Sequence, residues 1–212
     1  MIPFPLVLSS PSGGGKSTIA RELLQGREDL GYSVSATTRK KRPNEVHGSD
    51  YFFLARSEFD ARRDQGEFVE WATYADQYYG TLRSELERLF NEGKHAVLDI
   101  EVEGARQLKA LYPETVTIFV LPPSGAQLVD RLSGRNTETP GVVRQRLQRA
   151  AVELQAACEY DYLVVNDTIP NAVRRVAAII EAESQRVERL ENMAGMISAL
   201  QSEVLGEAER IG

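Results

Sequence analysis

At 212 residues, with 42% hydrophobic and 26% charged side chains, the chain is sized for one α/β core with small insertions and is neither disordered nor fibrous. Its longest apolar run, residues 116–121, is too short to span a membrane, Met1-Ile2-Pro3 does not open a signal peptide, and the lone Cys158 allows no internal disulfide. These features predict a cytoplasmic protein without a membrane partner, and the net charge of −6 argues against a nucleic-acid partner.

The first predicted element is a strand over residues 4–9. It runs into Ser9-Ser10-Pro11-Ser12-Gly13-Gly14-Gly15-Lys16-Ser17-Thr18 and a helix over residues 16–25. A Gly-rich turn ending in Gly-Lys-Ser, between strand and helix, is the pattern of a phosphate-binding loop; the alternative is a turn that binds nothing. Glycines let the backbone curl until several N–H groups point at phosphate oxygens, and the helix N-terminus adds positive potential. Lys16 can bridge terminal phosphates and the Ser17 hydroxyl can ligand Mg²⁺. The strict pattern has glycine where Ser10 stands. A serine in ordinary β conformation ends a strand without strain, and that conformation is expected here.

A single strand is predicted over residues 32–38, and the texture then changes. Tyr51-Phe52-Phe53, Phe68-Val69-Glu70-Trp71 and Tyr78-Tyr79 read as short antiparallel strands, with a helix over 57–63, forming an insertion over residues 36–93. By itself, Glu70 reads as an exposed strand residue beside a buried Trp71. After Thr81 an amphipathic helix places Leu82, Leu86, Leu89 and Phe90 on one face, and Gly93 stops it. Further strands are predicted at 96–100, 116–121 and 162–165, with helices at 103–111, 125–132, 142–157 and from 171 onward. This alternation marks a parallel sheet covered by helices. A polar segment, residues 134–141, interrupts it, with Thr139 and Pro140 placed to cap and start the next helix. In the tail, Leu190, Met193, Ile197, Leu200 and Val204 follow heptad spacing. That seam either packs back on its own domain or joins copies into a homo-oligomer. With one cysteine and two histidines no zinc site is expected, and His47 and His95 are read as surface residues.

Seven segments in order resemble the guanylate kinase family over residues 4–185. They are Ser35-Ala36-Thr37-Thr38-Arg39-Lys40-Lys41-Arg42-Pro43, Gly48-Ser49-Asp50-Tyr51-Phe52-Phe53, Phe68-Val69-Glu70-Trp71 and Tyr78-Tyr79-Gly80-Thr81 in the first half. In the second half they are Leu98-Asp99-Ile100-Glu101, Arg131-Leu132-Ser133-Gly134-Arg135 and Val165-Asn166-Asp167.

The resemblance implies a P-loop three-layer α/β/α core (residues 1–35 and 94–185), a GMP-binding insertion (36–93), a lid at about 131–146 and a C-terminal helical extension (186–212). It implies transfer of the γ-phosphate of ATP to GMP, and to dGMP, with Mg²⁺. ATP would be held by Ser12, Gly13, Gly14, Gly15, Lys16, Ser17 and Thr18, with Asn166 at the adenine. GMP would be held by Ser35, Arg39, Arg42, Tyr51, Glu70, Tyr79, Thr81 and Glu101. Ser17, and Asp99 through water, would attend the metal; Lys16, Arg131, Arg135 and Arg146 would serve the transferring phosphoryl group. The chemistry of these residue types agrees. Guanine presents two adjacent donors that a carboxylate accepts at once, whereas O6 needs a donor such as Ser35 or Thr81. Guanidinium forks suit phosphate oxygens. The family has Asp where Glu101 stands, which leaves the contact of the longer side chain open. Two other readings remain: a catalytically silent protein-binding module, which would be expected to lose Lys16 or the lid arginines, and a kinase for another nucleoside monophosphate. A regulatory GTPase would need an Asn-Lys-x-Asp motif, and the chain has none.

Overall fold

The computed structural model describes residues 1–74, 76–133 and 140–211. In chain order they form β1 (Pro5–Ser9), α1 (Lys16–Gly26), β2 (Leu30–Tyr32), β3 (Ser35–Thr37), β4 (Phe52–Phe53), α2 (Arg56–Asp64), β5 (Phe68–Tyr74), β6 (Gln77–Leu82), α3 (Arg83–Asn91) and β7 (His95–Asp99). Then follow α4 (Val102–Leu111), β8 (Val116–Leu121), α5 (Gly125–Ser133), α6 (Pro140–Gln155), β9 (Tyr162–Val165), α7 (Ile169–Ser184) and α8 (Met193–Ile211).

The core is a five-stranded parallel sheet in the order β2-β7-β1-β8-β9. Alternation along β1 decides its two faces. Leu6 and Leu8 pack with Ile19 and Leu23 of α1 and Val176 and Ile180 of α7. Val7, between them, packs on the other face with Leu86 and Leu89 of α3 and Ala105 and Leu108 of α4. Helix, sheet and helix make the three-layer architecture expected from the alternating pattern. No helix among the described residues is long and apolar enough to cross a membrane.

A second sheet, in the order β4-β3-β6-β5, is built by residues 35–82 around Ala36, Leu54, Phe59, Phe68 and Leu82. Here two expectations change. The strand expected over 32–38 divides: β2 belongs to the core sheet and β3 to the second. Between them Ser33 N–H donates to Val97 O at 3.0 Å and Val34 N–H to Glu85 Oε2 at 3.1 Å, which carries the backbone out of the first ladder. The β4 strand pairs with β3 in parallel, not antiparallel, because the long 38–51 connection lets the chain cross over before pairing.

His95 is also corrected. It is buried, its Nδ1 accepts the Phe4 N–H at 3.2 Å and its ring tilts against Phe4 at 4.0 Å. Burial pushes its pKa down to about 4, so it serves the core as a neutral acceptor.

The tail departs from the reading in which its seam packs back on its own domain, and the seam loses its first member. Asn192 takes a left-handed conformation (φ 53), so α8 starts at Met193 and Leu190 falls outside it. None of α8 is buried, so it does not pack back on the domain.

Candidate active site

The loop after β1 is shaped by its glycines. Gly15, at φ 94, forms the N-cap of α1, a backbone that a residue with Cβ adopts only under strain. Gly14 N–H donates to Pro11 O at 2.8 Å, closing the turn. Ser10, directly after β1, is buried and is not among the left-handed residues, so the strained positive-φ backbone that would favour glycine there is absent. Asn166, at the end of β9, lies under this loop: its Nδ2 donates to Gly14 O at 2.8 Å, and a side chain on Gly15 would collide with it. At 2% exposure its contact is with the loop backbone.

β7 lies beside β1, with Asp99 opposite Leu8, so Asp99 emerges next to the loop at the carboxyl edge of the sheet. Lys16 Nζ lies 2.9 Å from Asp99 Oδ1 and 3.5 Å from Glu101 Oε1. Burial works against the lysine's charge, but the two carboxylates outweigh it and hold its pKa above the ordinary range. Ser17 Oγ donates to Asp99 Oδ2. A hydroxyl and a carboxylate side by side are hard oxygen donors suited to Mg²⁺ and its water shell. Among the described residues no group of three or more His, Cys, Asp or Glu is placed to hold a metal ion.

The second sheet aligns three polar side chains. Ser35 on β3 is opposite Thr81 on β6, and Thr81 is opposite Glu70 on β5, after a bulge between Phe68 and Glu70. Directly opposed residues share a face, so the three hydroxyl and carboxyl groups form one row. Thr81 Oγ1 donates to Glu70 Oε1 at 2.6 Å. Glu70 is 4% exposed and Trp71 36%, the reverse of what Glu70 suggests when read alone. The bulge shifts the alternation by one residue and turns the acid inward. Burial pushes the Glu70 pKa up to about 7, and the Thr81 bond opposes that rise in part.

The Tyr51 and Tyr79 rings stand 6.0 Å apart, and the Arg39 guanidinium lies 5.3 Å from the Tyr51 ring centre. Arg39 forks onto Glu45 at 2.8 and 3.0 Å, while the Arg42 N–H donates to Glu45 Oε2 at 2.8 Å. Glu45 thus occupies the Arg39 fork as an anion would, while Arg42 reaches it through its main-chain amide, with its guanidinium 3.9 Å away. Its only signal in the sequence is its place three residues after Arg42.

Two clefts meet here. One, of about 1140 Å³, is lined by Ser35, Tyr51, Glu70, Tyr79 and Glu101 among others; the other, of about 540 Å³, by the loop, Arg131 and Arg146. Lys16, Ser17 and Glu101 line both. Arg131 in α5 donates to Asn166 O at 3.3 Å, and Arg146 in α6 to Ser12 Oγ at 3.1 Å. Arg135 lies outside the described residues. Glu153 of α6, not singled out in the sequence, accepts the Ser12 N–H at 3.1 Å.

Residues 3–183 match the family model described as guanylate kinase. The chain belongs to the guanylate kinase family. A guanylate kinase of Desulfitobacterium hafniense (strain Y51) is 46% identical over 184 residues, covering 87% of this chain and 92% of that protein. One from Thermotoga maritima is 46% identical over 183 residues, 86% of this chain and 88% of its own. The crystal structure of guanylate kinase from Anaplasma phagocytophilum superposes with a TM-score of 0.77 at 33% identity, over 93% of this chain and 95% of that one. The family match ends at residue 183, before α8.

Proposed function

We propose that this chain transfers the γ-phosphate of ATP to GMP, and to dGMP, giving ADP and the corresponding diphosphate. The single observation that carries this reading is that a cleft lined by the buried acid Glu70 and the phosphate-loop cleft share Lys16. One lysine can therefore act where donor and acceptor phosphates meet.

In this reading residues 36–93 hold the acceptor. Glu70 accepts the two adjacent guanine donors, Ser35 or Thr81 offers a hydroxyl to O6, and Glu101 stands between base and phosphates. Arg39, Arg42, Tyr51 and Tyr79 receive the GMP phosphate, with Arg39 exchanging Glu45 for it. The donor lies in the other cleft, its phosphates against Ser12, the three glycines, Lys16, Ser17 and Thr18. Ser17 and, through water, Asp99 would hold Mg²⁺, which when bound offsets phosphate charge. An acceptor phosphate oxygen forms the new bond to the γ-phosphorus as its bond to the β–γ bridging oxygen breaks, and ADP leaves with that electron pair. The acceptor is already anionic at neutral pH, so no general base is needed. Lys16, Arg131, Arg146 and Arg135 neutralise charge on the group in flight, and a lid over about 131–146 excludes water that would otherwise take the phosphate. Asn166 acts from beneath, by holding the Gly14 carbonyl.

The presence of Lys16, Arg131, Arg135 and Arg146 favours a working kinase over a silent binding module. The partners of this site are ATP and GMP, the setting is cytoplasmic, and α8 joins copies into a homo-oligomer. Incubation with ATP, Mg²⁺ and GMP, followed by chromatography, tests the reaction: GDP and ADP are expected in equal amounts. ATP consumption without GDP would refute it.

A further inference from the structure

Helix α4 starts immediately after Glu101 and runs beside β5, the strand that carries Glu70. β5 is an edge strand of its sheet, so part of its backbone looks for partners outside the ladder. Gln107 supplies them. Its Oε1 accepts the Trp71 N–H at 3.1 Å and its Nε2 donates to Trp71 O at 3.0 Å, so one side-chain amide imitates a neighbouring strand. Trp71 follows Glu70 directly, and this pair of bonds fixes the backbone on which the acid is mounted.

One helical turn earlier stands Gly104. A Cβ built there would overlap Glu70 Oε2 and sit 3.0 Å from its Cδ. The carboxylate therefore occupies volume that any other residue at 104 would claim. Its other oxygen is held by Thr81, so a push at Oε2 cannot be absorbed by sliding the group along the row without breaking that bond.

We propose that Gly104 and Gln107 are positioning residues for base selection, Gly104 by providing the seat of Glu70 Oε2 and Gln107 by pinning the strand beside it. This rests on the reading of Glu70 as the guanine acceptor. Neither residue touches the donor site or the transferring phosphate, so their effect falls on the acceptor base alone.

Gly104→Ala and Gln107→Met test this, the second conserving volume while removing both hydrogen bonds. For each, kinetics give KM for GMP and ATP and the ratio of kcat/KM for GMP over AMP, and calorimetry gives GMP binding without catalysis. In Gly104→Ala, KM for GMP is expected to rise about tenfold or more and the GMP:AMP ratio to fall by a similar factor, with KM for ATP within about twofold. Alanine is the better helix former, so a merely helical role would leave GMP binding unchanged or improved. In Gln107→Met a rise of about threefold in KM for GMP alone is expected. Unchanged GMP binding in both variants, or equal shifts for GMP and ATP, would overturn the proposal. If Gly104→Ala does not fold, Gln107→Met decides. A wild-type protein that binds GMP but forms no GDP would refute the reaction and not this seat; one that binds no GMP would refute both.

Discussion

Lys16 Nζ stands 2.9 Å from Asp99 Oδ1, so the cation of the phosphate loop is already paired with the acid at the end of the neighbouring strand. The loop follows β1 and the acid ends β7, and parallel pairing of these strands brings both to one edge. With Glu101 at 3.5 Å, the lysine is held charged between the two clefts until phosphates compete for it.

Lys16→Ala is expected to lower turnover by at least about two orders of magnitude. A charge acting on the phosphoryl group in flight stabilises the transition state more than the ground state. Near-normal turnover, with an unchanged circular dichroism spectrum, would remove Lys16 from the mechanism.

Glu70→Gln is expected to raise KM for GMP far more than KM for ATP, by a factor corresponding to roughly 1.5–3 kcal/mol. The amide still accepts one hydrogen bond but turns a donor toward one of the guanine donors. Equal changes in both constants would point to a disturbed insertion instead of lost base reading.

The raised pKa of Glu70 gives a pH dependence of defined sign. Its ordinary value is 4.5 and burial lifts it to about 7, so between these the free folded protein binds more protons than the unfolded chain. The contribution of this group to stability therefore falls as pH rises from about 4.5 to about 7 and is regained on acidification. GMP, bringing two donors, requires the carboxylate, so below about pH 7 its binding releases a proton and KM for GMP climbs by up to about tenfold per pH unit. The phosphate of GMP titrates identically in wild type and Glu70→Gln, so the difference between their profiles isolates Glu70. Parallel profiles for the two proteins would refute the assignment.

Met196, Ile197, Leu200, Val204 and Leu205 are all exposed on α8, and an isolated helix of 19 residues containing Gly195 and Gly206 is marginal in water. The helix is expected to gain its stability in a homo-oligomer, through Met193, Ile197, Leu200 and Val204. Light scattering on the full chain and on a truncation ending at Asn192 tests this; that end point retains Arg189, which is bound to Glu183 in the core at 3.0 Å. A full-length monomer at tens of micromolar, or an oligomer that survives truncation, would refute it.

What the sequence made legible was local. Strand, glycine turn and helix are neighbours along the chain, so the loop around Lys16 could be read from spacing alone. The row of Ser35, Thr81 and Glu70 could not: it depends on pairing between distant strands and on the bulge after Phe68, which inverted the apparent exposure of Glu70 and Trp71. Family resemblance supplied the residues of that row but not its geometry. His95 looked like a surface residue because histidine usually is one, and only the approach of the Phe4 amide makes it a buried acceptor. Glu45, Gly104, Gln107 and Glu153 carried no motif, since their importance lies in what a distant segment presents to them. The heptad spacing that included Leu190 overlooked the backbone, because Asn192 breaks the helix before the seam starts.

The most direct test of the whole account is a coupled ADP-release assay with ATP, Mg²⁺ and a panel of GMP, dGMP, AMP, UMP and CMP. A buried acid that accepts two guanine donors would face the bare N1 lone pair of adenine, and a polar site rejects such a mismatch by several orders of magnitude. The account predicts that kcat/KM for GMP exceeds that for AMP by at least about a thousandfold, with dGMP also accepted. Comparable rates on GMP and AMP, or no ADP release above the ATP background with GMP, would contradict it.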